Sequence, residues 1–263
     1  MTGKPLLAIE TSGRAMSAAM WGPGGLLAER RVVDGARHGV ALAPMIRELL
    51  GEARLAVPEL GAVAVSLGPG SWTGLRIGLA AAKALAWGGG VALVGVPSFE
   101  ALAWGAFRQL RQEAAQPQTS NLKPGTTPLV LAVRSAYSEG LFAALYGIEK
   151  NAPARIIEEC VVRAEDLPAR VREALGPGAR RGEAWLCGEK TCLEALRGAA
   201  AEGGWRVRDD LDEVPPAALA ERAWARLEAG LAWRTAAAIH AAAPLYLRAS
   251  DPELKLRRKK NAN

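Results

Sequence analysis

The chain has 263 residues, of which 50% are hydrophobic and 23% charged, with 29 glycines and 16 prolines. This length supports one or two domains of about 150 residues with a substantial hydrophobic core, and the composition excludes a fibrous or low-complexity protein. The formal net charge is +6, but residues 248–263 carry six basic and two acidic side chains, so +4 of it lies there. Such a basic run is typical of a solvated tail, and contact with an anionic partner such as RNA is the alternative.

The three cysteines, Cys160, Cys187 and Cys192, are too few and too unevenly spaced for a disulfide framework. Cys187 and Cys192 have neither a second cysteine pair nor a nearby histidine, so we predict small buried residues rather than a zinc site. The most apolar stretch, residues 77–96, contains Lys83 and three consecutive glycines, and the first residues have no signal-peptide pattern. We therefore expect a cytoplasmic protein without a membrane span.

Hydrophobic periodicity predicts three short strands followed by helices and strands in alternation. The predicted strands span residues 5–10, 15–21, 26–33, 62–67 and 91–96, and the predicted helices span 38–50, 74–87 and 98–110. The first of these helices has apolar residues at the i, i+3, i+4, i+7 spacing of one helix face. The element order of this half is βββαβαβα.

A polar, proline-rich stretch at residues 113–128 has the composition of a linker, which predicts lobes at 1–112 and 129–263. The pattern of residues 7–12 returns at 131–136, an offset of 124 residues. Strands at 141–146, 155–163, 185–187 and 205–207, and helices at 164–175, 190–199 and from Pro216 to about Trp233, repeat the order of the first half. The sequence therefore predicts an α/β protein with a duplicated βββαβαβα unit and a cleft between two lobes.

The segment GPGSWTGLRIG at residues 68–78 lies between a predicted strand and a predicted helix. Backbone amides of such a turn can hold a phosphate at a helix N-terminus. The segment lacks the G-K-[S/T] ending of a Walker loop and the G-x-G-x-x-G spacing of dinucleotide sites. We favour a tight structural turn over a phosphate-binding loop.

Glu10 lies where a duplicated two-lobe ATPase would place one carboxylate, and the equivalent position of the second half holds Arg134. Two facing carboxylates can hold hydrated Mg²⁺ and a triphosphate, whereas one carboxylate opposite a guanidinium disfavours that arrangement. His38 and His240 are the only histidines, and the position four residues after His38 is Leu42. No helical histidine pair for a metal is therefore present.

Several segments together resemble the TsaB (YeaZ) family. They are LAIET at residues 7–11, His38 with LAP at 42–44, GPGSWTGLRIG at 68–78, GVPS at 95–98 and PLYLR at 244–248. Trp72 stands where the family usually has Phe, Glu10 where Asp is common, and Arg134 where an acidic residue is often seen. The resemblance covers essentially the whole chain.

This resemblance implies an actin-like, ribonuclease-H-like (ASKHA) two-lobe fold and a non-catalytic activator or scaffold. The partners it implies are a TsaD-like catalytic subunit and a TsaE-like ATPase, in a complex that transfers a threonylcarbamoyl group to N6 of the adenine next to the tRNA anticodon. It implies tRNA contact only through that complex, a homodimer without the TsaD-like subunit, and no catalytic, cofactor-binding or metal-binding residues. ATP or ADP at the interface of the complex stays open. The alternative function is an autonomous ASKHA-type ATPase or a glycoprotease-like peptidase.

The TsaD family carries a metal-binding H-x-x-x-H pattern, of which this chain keeps only His38. Family precedent and the wide apolar faces of helices 38–50 and 74–87 predict that these helices form the partner interface. The predicted interface residues are His38, Leu42, Met45, Leu49, Arg76, Ala81 and Leu85.

Overall fold

The computed structural model describes residues 3–33, 38–114, 128–149, 152–176 and 184–247. Most of the predicted linker and the whole basic tail lie outside these ranges, and the domain boundary stays a prediction. The described part of the chain contains no helix that is both long and apolar enough to cross a bilayer.

The first half forms a five-stranded mixed sheet with the order β3-β2-β1-β4-β5. Its strands are β1 (Leu6–Glu10), β2 (Met16–Gly22), β3 (Gly25–Val32), β4 (Ala62–Ser66) and β5 (Ala92–Val96). The intervening helices are α1 (His38–Ala53) and α2 (Trp72–Gly89), and α3 (Ser98–Ala114) follows β5. Strands β1, β2 and β3 pair in antiparallel order. Strand β4 pairs in parallel with β1, and β5 pairs in parallel with β4.

The second half repeats this sheet with the order β8-β7-β6-β9-β10. Its strands are β6 (Leu129–Ser135), β7 (Leu141–Glu149), β8 (Ala152–Val162), β9 (Ala184–Gly188) and β10 (Arg206–Arg208). Its helices are α4 (Leu167–Leu175), α5 (Lys190–Gly203), α6 (Pro216–Glu228) and α7 (Ala236–Ala241). The equivalent strand order confirms the predicted duplication of the βββαβαβα unit.

Helices α3 and α6 lie between the two sheets, each against the sheet of the opposite half. Helix α6 contacts all five strands of the first sheet, whereas α3 contacts β6, β7, β8 and β9 of the second. The facing surfaces are rich in alanine, including Ala8, Ala64, Ala132 and Ala144, which lets the helices pack closely on both sheets. Residues 216–247, predicted as part of the second lobe, thus lie largely against the first sheet.

The outer face of the first sheet is covered by α1, α2 and α7, and the outer face of the second by α4 and α5. Two details of the C-terminal region differ from the prediction. Helix α6 ends at Glu228 rather than near Trp233, because Gly230 adopts a positive φ of 78° that ends the helix. Trp233 instead pairs with Leu93 on the edge of the first sheet, and α7 was not predicted.

Candidate functional site: an interlobe cleft and a helical groove

The glycine-rich turn brings the start of α2 into direct contact with the end of β1. The Thr11 hydroxyl donates a hydrogen bond to the carbonyl of Gly74 at 2.8 Å. A Cβ atom at Gly74 would lie 2.0 Å from the Thr11 carbonyl oxygen, and one at Gly78 would lie 2.1 Å from the Thr11 hydroxyl. The Ser71 side chain caps α2 by accepting from the Gly74 amide. These contacts favour the structural interpretation of the turn, since the glycines provide the space that close backbone packing requires.

Glu10 ends β1 at the base of the cleft between the lobes. Its side chain is buried, with one carboxylate oxygen accepting from the Ser12 amide and the other making no hydrogen bond in the described part of the chain. Burial raises the pKa of Glu10, and the Arg134 guanidinium opposes this effect by favouring the charged form. Glu10 therefore lies beneath the cleft as a buried carboxyl group.

Arg134, at the equivalent position of β6, extends from the second lobe to the first. The guanidinium donates to the Ser12 hydroxyl at 2.8 Å and to the Pro69 carbonyl at 3.2 Å. It also lies 3.5 Å from a carboxylate oxygen of Glu213. Only 6% of Arg134 is exposed, so its hydrogen-bonding capacity serves contacts between the lobes.

Glu213, in the loop before α6, is a cleft residue that the sequence analysis missed. Its carboxylate accepts from the backbone amides of Arg14 at 2.8 Å and Ala15 at 3.4 Å in the turn between β1 and β2. A buried arginine on a strand needs a counter-charge, so Arg134 was the signal that an acidic partner had to exist. The sequence alone could not show which acidic residue folds back to it.

The cleft encloses about 330 Å³, and its lining includes the acidic residues Glu189, Asp212 and Glu213. The two residues of the predicted pair, Glu10 and Arg134, are both hydrogen-bonded to Ser12. Within the described ranges they form no ion pair with each other, and Arg134 pairs with Glu213 instead. In an ATPase arrangement, two carboxylates would face a bound metal–triphosphate. Here the backbone amides of Arg14 and Ala15 and the Arg134 guanidinium already contact the Glu213 carboxylate. A phosphate bound to these groups would have to displace that carboxylate. Within the described ranges, no group of three or more His, Cys, Asp or Glu side chains is placed to hold a metal ion.

The three cysteines are free thiols, and Cys187 and Cys192 are buried, as predicted. Burial raises the pKa of Cys187 to about 12 and that of Cys192 to about 11. Thiols in this environment remain protonated near neutral pH and behave as small apolar side chains.

A second concave surface, the α1–α2 groove, lies on the outer side of the first lobe. It encloses about 750 Å³ between the two helices. Its lining comprises Gly39, Leu42, Ala43, Ile46, Arg47, Leu50, Gly51, Leu55, Ile77, Ala80, Ala81, Ala84 and Leu85. Twelve of these thirteen residues are apolar or glycine, and Ala43, Ala80 and Ala84 are exposed. An exposed apolar groove of this kind is typical of a protein-binding surface.

The structure divides the predicted interface residues into two sets. Leu42, Met45 and Leu49 are at most 4% exposed and pack in the chain's own core, so they support α1 and cannot provide the main contact surface. The apolar stripe of α1 that the sequence analysis assigned to a partner is the stripe that docks on the chain's own sheet.

Arg76 is exposed, and Ala81 and Leu85 are half-buried at the groove. Arg76 stacks on Trp72, whose ring lies 4.1 Å from that of Tyr246, and it donates to the Tyr246 hydroxyl at 3.2 Å. His38 is the first residue of α1, and its side chain is outside the described part of the structure.

Comparisons with known proteins agree with this architecture. The family model for TsaD, tRNA N6-adenosine threonylcarbamoyltransferase, matches residues 33–173, more than half of the chain. The chain is 27% identical to the tRNA threonylcarbamoyladenosine biosynthesis protein TsaB of Escherichia coli, over 68% of this chain and 71% of that protein. It is 36% identical to TsaB of Bacillus subtilis, over 37% of this chain and 43% of that protein. The solved structure of YeaZ from Pseudomonas aeruginosa matches with a TM-score of 0.71 and 23% identity, over 93% of this chain and 100% of that one.

The duplicated sheets and the structural match define an actin-like, ribonuclease-H-like (ASKHA) two-lobe protein, as the sequence predicted. The chain belongs to the family of TsaD-related proteins and, within it, to the TsaB (YeaZ) group.

Proposed function

We propose that this protein is a non-catalytic subunit that binds a TsaD-like catalytic subunit through the α1–α2 groove. The complex would transfer a threonylcarbamoyl group to N6 of the adenine next to the tRNA anticodon, with a TsaE-like ATPase as a further partner. The curated relatives are named as tRNA threonylcarbamoyladenosine biosynthesis proteins, which supports this pathway. The observation that carries the partner-binding role is the exposed apolar groove between two helices.

The shape of the groove supports helix packing as the mode of contact. On the groove side, α2 exposes two small residues, Ala80 and Ala84, and the adjacent part of α1 exposes Ala43 and Gly51. Small side chains let the backbone of a second helix approach closely, so two further helices could complete a four-helix contact. A TsaD-like subunit of the same fold would supply such a helix pair. In its absence, a second copy of this chain would occupy the groove.

The cleft supports a non-catalytic role for this chain. The strand position equivalent to Glu10 holds Arg134 rather than a second carboxylate. The Glu213 carboxylate accepts hydrogen bonds from the turn amides of Arg14 and Ala15. Hydrolysis of ATP by the isolated protein, abolished by Glu10→Ala, would contradict the proposal and favour the autonomous ATPase. Peptide hydrolysis by the isolated protein would favour the peptidase.

The decisive experiment compares Ala84→Arg, in the groove, with Ala195→Arg, a matched control on an exposed position of α5. Because a charge placed in a buried helix contact loses about 3 kcal/mol or more, Ala84→Arg should weaken binding to the TsaD-like subunit by about 100-fold. Both variants should keep the wild-type thermal transition, since both alanines are exposed.

Binding is measured by calorimetry. Function is measured by reconstituting tRNA modification with the TsaD-like protein, the TsaE-like protein and an enzyme that forms threonylcarbamoyl-adenylate, the donor of the transferred group. Ala195→Arg should support modification at the wild-type rate, whereas Ala84→Arg should reduce it to the rate without this chain. A folded Ala84→Arg protein that binds and activates normally would refute the groove as the interface. Equal modification without this chain would refute the function itself.

A further inference from the structure

Arg47 is the one charged residue among the thirteen that line the α1–α2 groove. It is exposed, and its guanidinium forms no hydrogen bond or ion pair with the described part of the chain. By contrast, Arg134 forms an ion pair with Glu213, and Arg208 forms one with Glu113. Among its described lining residues, the groove thus presents an apolar surface with a single unpaired positive charge.

Docking of any helix pair into the groove would take the Arg47 guanidinium out of water. A guanidinium that is buried without an anion is strongly unfavourable, whereas one that meets a carboxylate can form a bidentate, geometrically specific pair. The occupant of the groove is therefore favoured if it brings an acidic side chain to this position.

A second copy of this chain has no acidic side chain among the thirteen described residues that line its groove. In a symmetric pair the same face meets itself, so two Arg47 guanidiniums enter one contact. The nearest acidic residues along α1 are Glu48 and Glu52, and neither lines the groove. Glu52 already pairs with Arg30 of β3. Self-association therefore brings two like charges into the apolar contact without a carboxylate from the groove lining.

We infer that Arg47 is a specificity residue, which weakens self-association and selects a partner whose docking helices place an Asp or Glu against it. The inference rests on the proposed function, because it names the chemistry of the partner surface that enters the same groove. Apolar contacts alone would accept many partners, whereas Arg47 would favour a partner that carries an acidic residue at the matching position.

The test uses three variants of the full chain. Arg47→Leu removes the charge, Arg47→Glu reverses it, and Arg172→Glu is a matched reversal on an exposed position of α4 in the other lobe. Homodimer affinity is measured by sedimentation, and affinity for the TsaD-like protein of the same organism by calorimetry at low and high NaCl.

We expect Arg47→Leu to tighten the homodimer at least 10-fold and to weaken binding to the TsaD-like protein at least 10-fold. Arg47→Glu should weaken that binding at least 100-fold, because two carboxylates would then face each other. The wild-type complex should lose affinity with added salt more steeply than the Arg47→Leu complex. Arg172→Glu should change neither equilibrium.

The outcomes separate this inference from the proposed function. If Ala84→Arg weakens binding by about 100-fold while both Arg47 variants bind the TsaD-like protein as tightly as wild type, the groove is the interface and Arg47 does not select an acidic partner. If Ala84→Arg also binds normally, the proposed interface itself fails. A tighter homodimer of Arg47→Leu without any loss of partner affinity would overturn the selection of an acidic partner.

Discussion

Gly74 can be tested directly, because its Cβ position is blocked by the end of β1. In a Gly74→Ala variant the added methyl group would lie 2.0 Å from the Thr11 carbonyl oxygen, well inside ordinary van der Waals contact. Relief requires the start of α2 to move by about 1 Å or more, which strains packing and breaks the hydrogen bond from the Thr11 hydroxyl. Together the two effects should destabilise the protein by roughly 2–4 kcal/mol.

Gly88 offers the matched control in the same helix, since a Cβ there meets nothing within 4 Å. Gly88→Ala should stabilise the protein by about 0.5–1 kcal/mol through helix propensity and lower unfolded-state entropy. At roughly 2–4 °C per kcal/mol for a chain of this size, differential scanning calorimetry should show Tm lower by roughly 4–16 °C for Gly74→Ala. Tm of Gly88→Ala should rise by roughly 1–4 °C. A Gly74→Ala protein that melts within 2 °C of wild type would refute the close-packing explanation of the glycine-rich turn.

Two further predictions concern buried carboxyl groups. Because burial raises the folded-state pKa of Glu10 above 4.5, its ionisation removes stability as pH rises through that folded-state value. Urea unfolding should therefore show a larger advantage of Glu10→Gln over wild type at pH 7 than at pH 4, and an advantage that shrinks with rising pH would contradict this. Glu100 of α3 accepts from Arg222 at 3.1 Å and Arg226 at 2.8 Å on α6, so Glu100→Gln should lower the free energy of unfolding by about 3 kcal/mol. Glu165→Gln, whose side chain is 70% exposed, should show no measurable change, and equal effects of the two variants would refute a role for the α3–α6 ion pairs.

The strand and helix order could be predicted because each element has a clear hydrophobic period and a glycine or proline boundary. The duplication could be predicted too, since the pattern of residues 7–12 returns at 131–136, in the equivalent strands β1 and β6. The exposed face of α1 could not, because Leu42 and Leu50 both belong to its apolar pattern while only Leu42 is fully buried. Periodicity identifies an amphipathic helix, but a helix that is apolar on two sides does not show which side faces its own sheet.

The interlobe contacts were beyond prediction for a different reason. Glu213 lies in a loop with no recognisable motif, and its partners Arg14 and Arg134 are 199 and 79 residues away in the chain. The packing of α6 on the first sheet could not be predicted either, because α6 has the pattern of an ordinary amphipathic helix, which does not show which sheet it covers. Contacts at such separations depend on the assembled topology, which local patterns do not encode.

The exchange of α3 and α6 between the halves has a consequence for the order of biosynthesis. During translation, the five strands of the first sheet are complete at residue 96, but the helix that covers their inner face ends at residue 228. At roughly 5–20 residues per second, that apolar surface remains uncovered for roughly 7–26 seconds. Each half therefore depends on a helix of the other half to cover the inner face of its sheet, and the shared core is complete only once α6 has been synthesised.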